Sequence, residues 1–211
     1  TEEASRDLFA MDTYMTLTAY GEHAQEAVDK AAERVEALDA LLSTGDENSE
    51  IYQLNQKKKM KVSDETLELI EFAKKKSAQS GDAFDISVYP IVELWGFPTQ
   101  KYRVPSDSEI QSLLKNVDCQ KIKINKKTNV VTLEKNMKID LGGIAKGYTS
   151  QRIAKVYKED GVKSGVISLG GNVQAIGKKI DGSYWKVGIQ SPDDTESMIG
   201  AYEAADEAVI T

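Results

Sequence analysis

"MKIDLGGIAKGYTSQRIAKV", Met137–Val156, holds the junction on which the reading of the chain turns. An apolar strand-like run meets Asp140, then Gly142 and Gly143, then Lys146 and a segment with helical spacing. A helix start exposes unpaired N–H groups and the positive end of the helix dipole. Glycines there let a phosphate or a metal-bound oxygen approach the backbone. Lys146, about one turn further on, could reach the same phosphate. Asp140 could accept hydrogen bonds from a ribose, a ring or the loop, and a glycine carbonyl can ligate a hard cation such as Mg2+. A tight strand-to-helix turn with a surface lysine explains the same letters. The spacing fits neither the phosphate loop G-x-x-x-x-G-K-[ST] nor the dinucleotide fingerprint G-x-G-x-x-G.

A second glycine corner, "SLGGN" (168–172), leaves an apolar strand; alone it reads as a bulge or turn. In "GDAFD" (81–85), Phe84 and Asp85 read as an apolar wall and a polar hook, or as a buried aromatic and a loop-capping acid. Two glycine corners together with Asp85 and Asp140 tilt the balance towards a phosphate-bearing ligand.

Around these segments the pattern is that of one domain. "MTLTAY" (15–20) alternates as a strand, and residues 22–43 place Ala24, Ala27, Val28, Ala31, Val35, Leu38 and Leu42 on one helical face. A polar loop spans 43–50. Ser63 caps a helix that Gly81 ends, with Asp64 and Glu65 in its first turn. Residues 81–98, with Pro90, Trp95 and Pro98, read as ordered, buried, irregular structure. Ser106 and Glu109 form a capping box for a short helix. Residues 120–141 read as a hairpin looping at Asn125–Asn129, with a further strand into Leu141. A helix follows from about Gly143 to Asp160, and Gly161 stops it. Strands follow at 164–177 and 184–192, where Trp185, Val187 and Ile189 share a face, with one or two more after Met198. The end at Thr211, on an apolar pair with no polar tail, looks cut within an element.

The 211 residues carry a net charge of −7, with 40% hydrophobic and 29% charged residues. That balance argues against nucleic acid as a partner. The lysines at 57–61 and 74–76 read as solvated loop and helix faces. One cysteine, Cys119, excludes an internal disulfide and a cysteine-built zinc site, and one histidine, His23, excludes a histidine-cluster metal site. No apolar run is long enough to span a bilayer.

Six segments taken in order resemble the FAD:protein FMN transferases of the ApbE type. "MDTYMTL" (11–17) is similar to the family's M-G-T entry strand, and "LLSTGDENSEIYQLN" (41–55) to its S-E-I-x-x-L-N segment. "GDAFDISVYPIVELWGF" (81–97) matches its G-x-F-D block. "IDLGGIAKGY" (139–148) is the most specific signature, and "SLGGN" and "WKVGIQSP" (185–192) follow. The resemblance implies an α+β fold with mixed or antiparallel sheets and packed helices. It implies transfer of FMN from FAD to a Ser or Thr of a flavin-accepting protein with loss of AMP, Mg2+ as the metal, and in some members hydrolysis of FAD instead. Met11 would lie near the adenine. Ala83, Phe84 and Asp85 would line the FAD site, Asp140 and Lys146 would contact FAD, and Gly143 would offer its carbonyl to Mg2+.

There are departures. Gly45 stands where many members have an aromatic, Asp12 where glycine is usual, and Asn172 is a common variant. The family also continues past "VIT" into a histidine-bearing segment and further Mg2+ ligands, and His23 precedes the position that order would require. The resemblance further implies an extracytoplasmic lipoprotein, anchored to a membrane by a lipidated cysteine upstream of Thr1.

Overall fold

Two strands open the chain. The computed structural model describes residues 2–211. β1 (Glu3–Ala10) and β2 (Thr13–Tyr20) pair antiparallel, with Ala10 opposite Thr13 across a turn at Met11 and Asp12. α1 (Ala24–Leu42) follows, then α2 (Glu50–Lys57), β3 (Lys59–Lys61), α3 (Asp64–Gln79), α4 (Tyr89–Leu94) and α5 (Asp107–Leu114). After them come β4 (Lys123–Asn125), β5 (Val130–Thr132), α6 (Gly142–Glu159) and β6 (Ser164–Leu169). The last strands are β7 (Asn172–Ile176), β8 (Trp185–Gln190), β9 (Met198–Ala204) and β10 (Ala208–Val209). This is the α+β class with antiparallel sheets that the sequence leads one to expect. None of the helices among the described residues is long and apolar enough to cross a membrane.

The sequence pattern reads as one domain, and the chain forms two compact units: residues up to Asp39 with Lys146–Thr211, and Ala40–Ala145. No linker betrays them, because both boundaries fall inside helices, α1 and α6.

In the first unit the sheet order is β1-β2-β6-β7-β10, and β8 and β9 form a separate two-stranded sheet. Met15, Leu17 and Ala19 of β2 and Ile167 and Leu169 of β6 bury against Ala27, Val28, Ala31 and Val35 of α1 and Ile153 and Tyr157 of α6. Each large aliphatic side chain buried in this way stabilises the fold by about 1.5–3 kcal/mol. Burial pushes the Tyr157 hydroxyl well above its ordinary pKa. β1 is absent from the sequence reading for a physical reason. Its inward positions are Ala4, Arg6, Leu8 and Ala10, and the half-buried Arg6 breaks the apolar alternation. That arginine is held by Asp29 of α1 at 3.0 Å.

The second unit holds α2 to α5 and the sheet β3-β5-β4. α3 is capped as its sequence predicts: the Ser63 hydroxyl accepts from the Thr66 N–H at 3.3 Å, and Gly81 closes the helix at φ +63°. α5 carries the predicted capping box of Ser106 and Glu109. The β4–β5 hairpin turns between Asn125 and Val130, also as expected.

Three segments of this unit differ from their sequence reading. α2 lies where only the stretch between a loop and the next helix is legible; its eight residues are too few, and too polar, to show a period. Residues 81–98 contain a 3-10 turn at Ile86–Val88 and then α4, and Phe97 is 56% exposed. Pro90 does not argue against that helix, because it lies in the first turn, where the missing N–H has no helical partner to lose.

Nor is there a strand into Leu141. The Leu133 N–H donates to the Lys58 carbonyl, and the Lys58 ammonium to the Met137 carbonyl, each at 2.7 Å. Asn55 bonds both the N–H and the C=O of Ile139. The end of α2 thus does the work of a neighbouring strand. Lys58 is not the solvated lysine its run predicts: burial first, then the Lys138 charge, holds its pKa below the ordinary range.

Candidate functional site

The entrance to α6 is built by Asp140. Its Oδ1 accepts from the Gly142 N–H at 2.8 Å, and its own N–H donates to the Ile86 carbonyl at 2.8 Å. The Leu141 carbonyl accepts from Ile144 and Ala145 at 3.0 and 2.9 Å. Gly143 is exposed and lies in the first turn of α6, where the helix itself offers an N–H no partner. Neither Gly142 nor Gly143 has a left-handed backbone, so conformation does not demand glycine here. Space does. A Cβ on Gly143 would stand 2.9 Å from Cε2 of Phe84, and one on Gly142 would stand 3.1 Å from Asp140 Oδ1. The result is an exposed, positively polarised helix end with an aromatic ring and a carboxylate drawn against it.

Phe84 is half-buried and Ala83 exposed, so the ring is the apolar wall that the sequence offers as one reading. Asp85 caps. Its Oδ1 accepts from the Ser87 N–H and hydroxyl at 2.7 and 2.6 Å, and its Oδ2 from the Cys119 N–H at 2.9 Å. The Ser87 hydroxyl then accepts from the Asp118 N–H at 2.9 Å. These bonds tie the Phe84 loop to the 118–119 segment, where burial raises the Cys119 thiol pKa. Ala83, Phe84, Asp85, Asp140 and Gly143 therefore all belong to the second unit.

Met11 and Lys146 belong to the first. Met11 and Asp12 form the β1–β2 turn with φ of +50° and +57°. The Met11 N–H donates to Asp39 Oδ1 at 3.1 Å, and its sulfur accepts from the buried Thr149 hydroxyl at 3.7 Å. Lys146, half-buried, lies about one turn before Thr149 on α6. The other glycine corner is a hairpin turn. Gly170 and Gly171 have φ of +61° and +95° between the paired Leu169 and Asn172. A Cβ on Gly170 would fall 2.3 Å from Thr13 Oγ1. His23 is exposed and stands 3.9 Å from Glu26 at the start of α1.

Sequence reasoning missed Asn55, Asp39 and Thr149. A buried asparagine closing "IYQLN" was the one legible signal; nothing marked the other two.

No group of three or more His, Cys, Asp and Glu among the described residues is placed to hold a metal ion. The Gly143 carbonyl is a fitting donor for a hard cation, but one carbonyl is far short of a coordination sphere.

The model of the ApbE family matches residues 11–211. The FAD:protein FMN transferase of Escherichia coli K12 is 27% identical over 184 residues, covering 83% of this chain and 52% of the relative. That of Haemophilus influenzae is 28% identical over 195 residues, covering 86% and 55%. The chain thus spans about half the length of the curated relatives it matches. The crystal structure of the ApbE protein of Thermotoga maritima superposes with a TM-score of 0.90 at 27% identity, over 98% of this chain and 69% of that one. The flavin transferase ApbE of Vibrio cholerae shares the fold, with a TM-score of 0.86 at 24% identity over 98% and 70%.

Proposed function

The chain belongs to the ApbE family, and from that membership we propose that it serves the transfer of FMN from FAD to a Ser or Thr hydroxyl of a partner protein. The hydroxyl oxygen bonds to the FMN phosphorus, the bridging P–O bond breaks, AMP leaves, and the hydroxyl proton is released. Positioning and charge stabilisation dominate such a reaction. The observation that carries the reading is the entrance to α6, where Phe84, Asp140, Gly142 and Gly143 meet.

In this reading Phe84 supplies an apolar wall to the nucleotide. Asp140 keeps Oδ2 for a hydroxyl or ring N–H of FAD while Oδ1 fixes the turn. The Gly143 N–H and the helix dipole face a phosphate, and Lys146 supplies a cation. Met11 faces the adenine. Mg2+ would offset phosphate charge when bound. Its oxygens would come from the Gly143 carbonyl, from the nucleotide and from the later segment of the family fold. The same reading has the protein working outside the cytoplasm on a lipid anchor, which labelling with a radioactive fatty acid tests.

The alternative reading is FAD binding without turnover. Chromatography of the full-length polypeptide incubated with FAD, with and without Mg2+, separates the two. AMP that depends on Mg2+, with flavin on a Ser or Thr of an acceptor, supports transfer. Bound FAD with no AMP supports the binding module, and no FAD binding overturns both.

A further inference from the structure

We propose that Asn55 is the positioning residue for Asp140, a role that rests on reading the α6 entrance as an FAD site. Asn55 lies in the last turn of α2 and is 3% exposed. Its Nδ2 donates to the Ile139 carbonyl at 2.8 Å, and its Oδ1 accepts from the Ile139 N–H at 2.7 Å. That carbonyl belongs to the Ile139–Asp140 peptide. The N–H on the other side of the same peptide donates to Ile86 at 2.8 Å. One planar group is therefore gripped from both sides, by a side chain of α2 and by the loop that carries Phe84. A planar peptide held at both polar atoms fixes the direction in which Asp140 leaves the backbone. The 2.8 Å reach of its Oδ1 to Gly142 follows from that direction.

Packing alone does not call for an amide here. Asparagine is a poor helix former, and a buried amide is tolerated only when its polar atoms are bonded. A leucine would fill the space. The amide does what leucine cannot: it presents a donor and an acceptor to one residue, as a neighbouring strand would, where the chain has no strand. Asn55 is neutral and acts on the ligand only through the placement of Asp140.

The test uses the full-length polypeptide with two readouts. Hydrogen exchange on Asn55→Ala should quicken about ten-fold or more at the amides of Ile139, Asp140 and Gly142, while α3 amides hold their rates. Titration with FAD should show about ten-fold weaker binding for Asn55→Ala, the effect of weakening about one hydrogen bond from Asp140 to the ligand. In an Asp140→Ala background the same change should alter FAD affinity by less than about two-fold, because coupled residues are not additive. Asn55→Leu keeps the side-chain volume, loses both bonds to Ile139, and should show the same pattern if Asn55→Ala does not fold. Equal losses of affinity in both backgrounds, or unchanged exchange at Asp140, would overturn the assignment. A parent protein that binds no FAD would overturn the reading of the entrance and any positioning role for that site. The exchange rates would then still show whether Asn55 fixes Asp140.

Discussion

The glycine pairs at 142–143 and 170–171 are the same dipeptide with opposite reasons for being there. Gly170 and Gly171 sit at φ of +61° and +95°, in a turn that joins β6 to β7. Their glycines answer a backbone demand, and the turn is structural. Gly142 and Gly143 have helical backbone and leave room for Phe84 and Asp140. Their glycines answer a demand for close approach at an exposed helix end. The first kind of glycine should matter to stability, and the second to whatever occupies the entrance.

The largest effect should follow from Asp140→Ala. FAD affinity, read by flavin fluorescence, should fall by about two orders of magnitude, as expected for a misplaced or missing binding group. Thermal stability should fall by only about 1 kcal/mol, the usual worth of a helix-start hydrogen bond. Unchanged affinity would remove the entrance from the site.

Gly170→Ala should invert that result. A left-handed non-glycine residue costs about 1–2 kcal/mol, and the new Cβ would meet Thr13 at 2.3 Å. Calorimetry should show a Tm lower by about 2–8 °C from the backbone alone, at about 2–4 °C per kcal/mol for a chain of this size, and by more with the Thr13 clash. Asp12→Gly should move the same way with the sign reversed. Asp12 holds φ +57°. Glycine there relieves about 1–2 kcal/mol of left-handed strain against about 0.4–1 kcal/mol of added unfolded-chain entropy, so denaturant melts should show a net gain of about 1 kcal/mol or less.

The smallest effect lies away from both corners. The Arg103 guanidinium first, then Ser106, lowers the Glu109 pKa from 4.5 to about 2. The stabilisation from this carboxylate is therefore complete above pH 4.5 and is lost as pH falls towards 2. Glu109→Gln should flatten that part of the acid melting profile at α5 and lower neutral-pH stability by the same small amount, small because the carboxylate is exposed.

Much of this was legible in the sequence. A strong period gave α1, cap chemistry at Ser63 and Ser106 gave α3 and α5, and the order of motifs gave the family. What stayed hidden was tertiary. The sign of φ at a glycine is not written in the dipeptide. β1 disappeared because Arg6 takes an inward position to reach Asp29. The run into Leu141 looked like a strand because it is extended, yet its partners are the Asn55 side chain and both the side chain and the carbonyl of Lys58. Asp85 offered both a ligand and a cap, and only the bonds to Ser87 and Cys119 show the cap in place.

The most direct measurement is FAD affinity of Gly143→Ala beside Gly170→Ala, each below its own Tm. A Cβ at 143 pushes on the Phe84 ring, whose outer edge can swing aside, so the fold should keep its stability to within about 1 kcal/mol. FAD binding should nevertheless weaken at least about ten-fold, while Gly170→Ala binds FAD like the parent. Parent-like FAD affinity in Gly143→Ala would contradict the claim that the entrance to α6 is where the nucleotide lies.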